Sequence, residues 1–143
     1  MASQFAITHA LIIRKGPLDK ILRGNKTWEV RGSDTKRRGL IALIEGGSGL
    51  IVGACELVTT VGPLTLATLQ RNARKAGFRA DGLYYERTFA WVLRGAQRLR
   101  RPVPYRHRRG VVIWARLSAR EAARVRAALR RGSPSARARA TAS

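Results

Sequence analysis

Residues 39 to 61 read GLIALIEGGSGLIVGACELVTTV, two apolar runs separated by Gly46-Gly47-Ser48-Gly49. Short runs of Ile, Leu and Val bounded by glycines are strands, and a glycine-rich joint of this length closes a hairpin. A chain with this hairpin near its middle must build a sheet around it. The same stretch is the longest apolar segment, yet Glu45 and the four glycines between positions 46 and 53 interrupt it too often for a bilayer span. No membrane partner is expected. The Gly-Gly-Ser-Gly joint is read as a turn, since it lacks the lysine and the strand–loop–helix setting of a phosphate loop.

The flanking pattern completes a small α+β domain. THALIIRK reads as a strand ending at Arg14 and Lys15. PLDKILRG reads as a short helix, with Pro17 in its first turn, Leu18, Ile21 and Leu22 on one face, and Gly24 as its stop. KTWEVR is a strand. TLATLQRNARKAGF is a second helix with Leu66, Leu69 and Ala73 inward and Gly77 at its end. RTFAWVL and GVVIWARL are strands, and Pro102 and Pro104 keep the segment between them extended. SAREAARVRAALRR is a terminal helix opened by a capping box, Ser118 and Glu121. Five to six short strands with two or three short helices predict a strongly bent sheet or partly open barrel. At 143 residues one domain is expected, spanning 1–132, with 133–143 as a disordered basic tail.

Charge narrows the function. Lys and Arg number 29 against 8 Asp and Glu, a formal charge of +21. Such a domain repels itself, and binding to a polyanion with counterion release offsets that cost. Nucleic acid fits better than an anionic membrane surface, because no basic helix carries a large apolar face for insertion. Cys55 is the only cysteine. It excludes an internal disulfide and a zinc knuckle, and it reads as a buried small hydrophobe. His9 and His107 lie far apart, so no metal site and no Ser-His-Asp arrangement is visible, and no cofactor is expected. The N-terminus lacks a basic start followed by an apolar stretch and cleavage site. A cytoplasmic monomer is the simplest expectation.

GNKTWEVRG, residues 24 to 32, holds the chemistry. Strand parity sends Thr27, Glu29 and Arg31 to one face and Trp28 and Val30 to the core face. Glu29 and Arg31 then stand close enough to pair, with Lys26 entering just after a glycine turn. Glu29 fixes its basic neighbours and accepts hydrogen bonds, which cations cannot do. A plain exposed ion pair is the competing reading.

Gly24-x-Lys26-x-x-Glu29-x-Arg31 resembles the GxKxxExR motif of the activating-signal-cointegrator homology (ASCH) domain, a branch of the PUA-like superfamily. The preceding helix, the following hairpin, and FAWVL, PVPY and GVVIW also resemble that domain, so the likeness covers about residues 8 to 118. The resemblance implies a PUA-like β-barrel with a cleft beside the first helix, lined by Lys26, Glu29 and Arg31, and an RNA-related role. Some small members are amidohydrolases on acetylated cytidine and use a threonine three residues after the lysine. This chain has Glu29 there, and a carboxylate cannot replace a hydroxyl nucleophile. Ribonuclease activity, linked to other members, would need a base and an acid, for which Glu29 and Lys26 are the catalytic candidates.

The expected function is RNA or single-stranded nucleic-acid binding. A hydrolase on RNA or on a modified nucleoside is the alternative, and a protein-interaction adaptor is the third. The candidate binding residues are Arg14 and Lys15, then Lys26, Glu29 and Arg31, the loop cations Lys36, Arg37 and Arg38, and Tyr85 as a cleft wall. The stretch from Arg94 to Arg109 holds seven arginines and no acid. Its end, Tyr105, Arg106, His107, Arg108 and Arg109, interleaves flat side chains with cations, as single-strand binding uses. In the competing reading Tyr105 packs inward and only the arginines face out.

Overall fold

The computed structural model describes residues 6–111 and 113–130. The expected tail, 133–143, lies outside these residues. The elements run β1 (His9–Ile13), α1 (Lys15–Leu22), β2 (Trp28–Arg31), β3 (Gly39–Glu45), β4 (Leu50–Val61), α2 (Leu66–Arg71), α3 (Ala73–Ala76), β5 (Phe89–Pro104), β6 (Trp114–Arg116) and α4 (Ala119–Arg130). No helix among them is long and apolar enough to cross a membrane.

One six-stranded sheet holds the chain together, in the order β2-β5-β4-β3-β1-β6. All neighbours are antiparallel except β1 and β3, which run parallel because α1 and β2 lie between them in sequence. The hairpin forms as its sequence predicts, with Gly47 and Gly49 at φ 80° and 71° in the turn. The sheet curls into a half-barrel. Trp91 of β5 and Trp114 of β6, near opposite ends of the strand order, stack with ring centroids 5.7 Å apart.

Each apolar face finds a partner. Leu18 and Ile21 of α1 are fully buried against Ile13, Val52 and Leu93, and each contributes about 1.5–3 kcal/mol of transfer free energy. Val125 and Ala122 seat α4 on Ile44, Ile51 and Leu99. The capping box is present: Glu121 N donates to Ser118 Oγ at 3.1 Å, and Ser118 N donates to Glu121 Oε1 at 2.8 Å. Cys55 is buried, and that burial pushes its thiol up to about 12.

Three local expectations change. The second helix divides at Asn72, whose side-chain amide donates to Thr68 O at 2.8 Å and breaks the helical run. Ala76, rather than Ala73, becomes its buried alanine. The 89–104 segment is one bent strand, and Pro102 and Pro104 are tolerated because β2 pairs only with residues 89–92, leaving that side of β5 an edge. The strand expected over 110–117 shortens to Trp114–Arg116.

Candidate functional site

A cavity of about 680 Å³ opens beside α1. Three pieces of chain wall it: the end of β1 with the start of α1, strand β2, and the segment after α3. Arg14, Lys20, Lys26, Glu29, Arg31 and Tyr85 all reach it. Its far wall is aromatic, from Phe78, Tyr84 and Tyr85. Such a volume lies in the range of small-molecule sites.

Glu29 sits at the centre. It is 7% exposed, in contrast to the solvent-facing strand residue that parity alone implies. Both faces of β2 are covered, since Trp28 packs with Leu69, Ala76 and Ala90 on the opposite side. Arg31 approaches Glu29 Oε2 with Nε at 3.0 Å and Nη2 at 2.9 Å. The same Nη2 donates to the carbonyl of Ile12 at 2.8 Å, which ties β2 to β1. Lys26 Nζ lies 3.6 Å from Glu29 Oε1.

Lys26 is 5% exposed and spends its ammonium on the carbonyls of Trp28 and Ala76. Its stem packs against Gly77, where a Cβ would come within 3.1 Å of it. Gly77, at φ 79°, also ends α3 in the left-handed conformation. Burial pushes the Lys26 amine below its ordinary value, and the Glu29 carboxylate opposes that shift. The carboxylate therefore offers the cavity a hydrogen-bond acceptor among cations that only donate. Among the described residues no group of three His, Cys, Asp or Glu converges as metal ligands.

The structure brings Arg14, Lys26, Glu29, Arg31 and Tyr85 to one cavity and places the other candidates elsewhere. Lys15 pairs with Asp19 at 3.2 Å and Glu45 at 3.8 Å. Arg37 lies over the Trp114 ring at 4.9 Å and contacts His9 Nδ1 at 2.9 Å. Arg38 donates to the carbonyls of Thr35 and Arg37, and Lys36 is exposed in the same loop. Tyr105 packs against the core beneath α4, with its hydroxyl 2.7 Å from His107 Nδ1. Arg106, His107, Arg108 and Arg109 are exposed and line no part of the cavity.

Sequence reasoning missed Lys20, Val30, Phe78 and Thr88. Lys20 carried a signal: it stands three residues after Pro17 on α1, and both line the cavity. Its Nζ donates to Gly77 O at 2.7 Å. The other three depend on how α3 and the following loop fold over β2, which no local pattern encodes.

No protein-family profile and no curated protein matches the sequence. Solved structures do. An ASCH protein from Zymomonas mobilis superposes with a TM-score of 0.64 at 16% identity, covering 87% of this chain and 96% of that one. Its serine-to-alanine variant gives 0.66 at 19% identity, with 88% and 98% covered. Its tyrosine-to-phenylalanine variant gives 0.65 at 18% identity, with 85% and 97% covered. The half-barrel is therefore the fold of these ASCH proteins, as the motif and element order lead one to expect.

Proposed function

We propose that this ASCH-fold chain binds RNA, or single-stranded nucleic acid more broadly, by taking one nucleotide into the cavity beside α1. One observation carries the reading. In a protein of charge +21, a buried carboxylate, Glu29, is held in the wall of a cavity by Lys26 and Arg31. An acceptor maintained at that cost suits the N–H groups of a base. The exposed cations outside, Arg14 at the rim and Arg106, Arg108 and Arg109 farther off, suit the flanking phosphates. Phe78, Tyr84 and Tyr85 offer flat faces for stacking.

Hydrolysis in the same cavity is the second reading, favoured by the depressed Lys26 amine beside Glu29. Against it, Lys26 Nζ is committed to two carbonyls and is poorly free to deliver a proton. Wild type and Glu29→Gln are incubated with labelled single-stranded RNA, single-stranded DNA and acetylated cytidine at about 0.15 M salt. The binding reading expects retention without product, and loss of base preference in the variant. Product from the wild type would replace binding with hydrolysis, and absence of both would remove the nucleic-acid role.

A further inference from the structure

We propose that the free edge of β2 at Val30, with the Thr88 hydroxyl beside it, reads the hydrogen-bonding edge of the base. The proposal rests on the nucleotide-binding reading above and assigns the source of its selectivity.

The register of β2 fixes which backbone groups are spent. Glu29 faces Trp91 and Arg31 faces Phe89, and Leu93 N donates to Thr27 O at 2.8 Å in continuation of the same register. Antiparallel pairs alternate, so Glu29 and Arg31 direct their N–H and C=O groups to β5, while Thr27 gives β5 only its C=O and donates its N–H to Lys75 O at 2.9 Å. Trp28 and Val30 direct theirs to the other side, where no strand lies, because β2 is the sheet's edge. Lys26 takes the Trp28 carbonyl. Among the described residues, the N–H and C=O of Val30 have no partner, and Val30 lines the cavity.

Thr88 adds an independent sign. It precedes Phe89 on the chain that pairs with β2, shares a face with Val30, and lines the cavity. The residue is 2% exposed and its Oγ1 has no hydrogen-bond partner. A buried polar group left unpaired is uncommon, and the Thr88 hydroxyl lies beside the open backbone groups of the half-buried Val30 at one cavity, which points to a ligand that completes them. A turn about χ1 brings the Thr88 hydroxyl to a ligand.

The occupant follows from the roof. A seventh strand added at this edge would need the length of β2 clear, but Tyr85 packs so closely over its end that a Cβ on Gly32 would lie 2.6 Å from the ring. A flat heterocycle needs only the gap between ring and strand. The N–H and C=O of one extended residue point the same way and match an amino group next to an unprotonated ring nitrogen. Adenine and cytosine carry that pair. The second amino hydrogen is then available to Glu29, whereas uracil has a single N–H flanked by carbonyls that the carboxylate repels.

The test uses labelled uridine tracts that carry one central A, C, G or U, with affinities read by fluorescence anisotropy. Wild type should prefer a central A or C over U by about tenfold. Val30→Pro removes only the outward N–H, which the ladder does not use, and an edge proline is tolerated. Thr88→Val removes the hydroxyl at equal volume. Each should cut the preference at least about fivefold. Should Val30→Pro not fold, amide exchange of wild type replaces it. Val30 N–H should exchange faster than those of Glu29 and Arg31 in the free protein, and slow when the preferred tract is added. Wild-type binding without base preference, preference unaltered in both variants, or unaltered Val30 exchange would overturn the edge reading alone. Failure of wild type to bind any tract would overturn the nucleotide reading and this one with it.

Discussion

Arg31 grips Glu29 from two positions along the same strand, placing two guanidinium nitrogens 3.0 and 2.9 Å from one carboxylate oxygen. The pair is desolvated on the Glu29 side, with Lys26 completing the charge on the other oxygen. Breaking a buried pair by removing one partner leaves uncompensated charge. Glu29→Ala should therefore cost about 3 kcal/mol in urea denaturation at neutral pH. Glu29→Gln, which still accepts from Arg31, should cost less. A loss for Glu29→Ala no larger than that of an exposed pair, about 0–1 kcal/mol, would refute a buried clamp.

Lys26 carries a pH signature. Its amine is held below its ordinary 10.5 by burial. The unfolded chain then binds more protons at this group than the folded chain does, in the window between the depressed folded value and 10.5. Stability contributed by Lys26 consequently rises with pH across that window. Cys55 acts oppositely at alkaline pH, because its folded thiol is raised to about 12 from 9.0, but it does so in any Lys26 variant too. Wild type minus Lys26→Met should show a positive slope of unfolding free energy with pH as the window is crossed. A flat or negative difference would contradict the burial of the amine.

Gly77 supports Lys26 through space. An alanine there must adopt φ 79° and place its Cβ about 3.1 Å from three carbons of the lysine stem. Gly77→Ala should destabilise the fold by about 1–3 kcal/mol and shift the Glu29 carboxylate resonance, since the ammonium is displaced with its stem. An unshifted carboxylate would show that the stem yields without moving the charge.

Gly32 controls the roof. Its φ is ordinary, but an added methyl meets the Tyr85 ring at 2.6 Å. Tyr85 is half exposed, so it swings away at small cost in stability. Gly32→Ala should leave Tm nearly unchanged and weaken RNA binding several-fold, within the range of about 1–3 kcal/mol for a stacking aromatic. Equal affinity would remove Tyr85 from the ligand's surroundings.

Arg14 stands exposed at the rim as the N-cap residue of α1, without a side-chain capping bond. Arg14→Ala should weaken binding to all single-stranded sequences alike and lower the slope of log affinity against log salt by about one contact, roughly 0.7 for a single strand. A change in base preference instead would move Arg14 from phosphate to base.

Much of the framework is legible from local pattern. The hairpin, α1, the Ser118–Glu121 cap and the approach of Glu29 to Arg31 follow from period, glycine placement and parity, and all are present. Burial of Lys26 is not legible, because its partners are the carbonyls of Trp28 and Ala76, the second lying 50 positions away. The long β5 is obscured by its prolines, which matter only if both sides of the strand are paired. The arginine-rich 94–109 stretch reads as one surface in sequence, yet its pieces diverge: Arg94 pairs with Glu56 at 2.8 Å, Arg98 with Asp19 at 3.5 Å, and Tyr105 turns inward.

The Trp91–Trp114 stack closes the half-barrel where no ladder does. Arg31 covers the outer face of one ring neighbourhood at 5.6 Å and Arg37 the other at 4.9 Å. The seam is thus a clasp of indoles and guanidiniums, with the sheet's hydrogen bonds all elsewhere. No strand pairing crosses it, and the Arg31 hydrogen bond to Ile12 O is the tie from β2 to β1 there. Arg31 belongs both to the clasp and to the carboxylate grip, so the indole pair is an optical reporter placed one guanidinium away from Glu29.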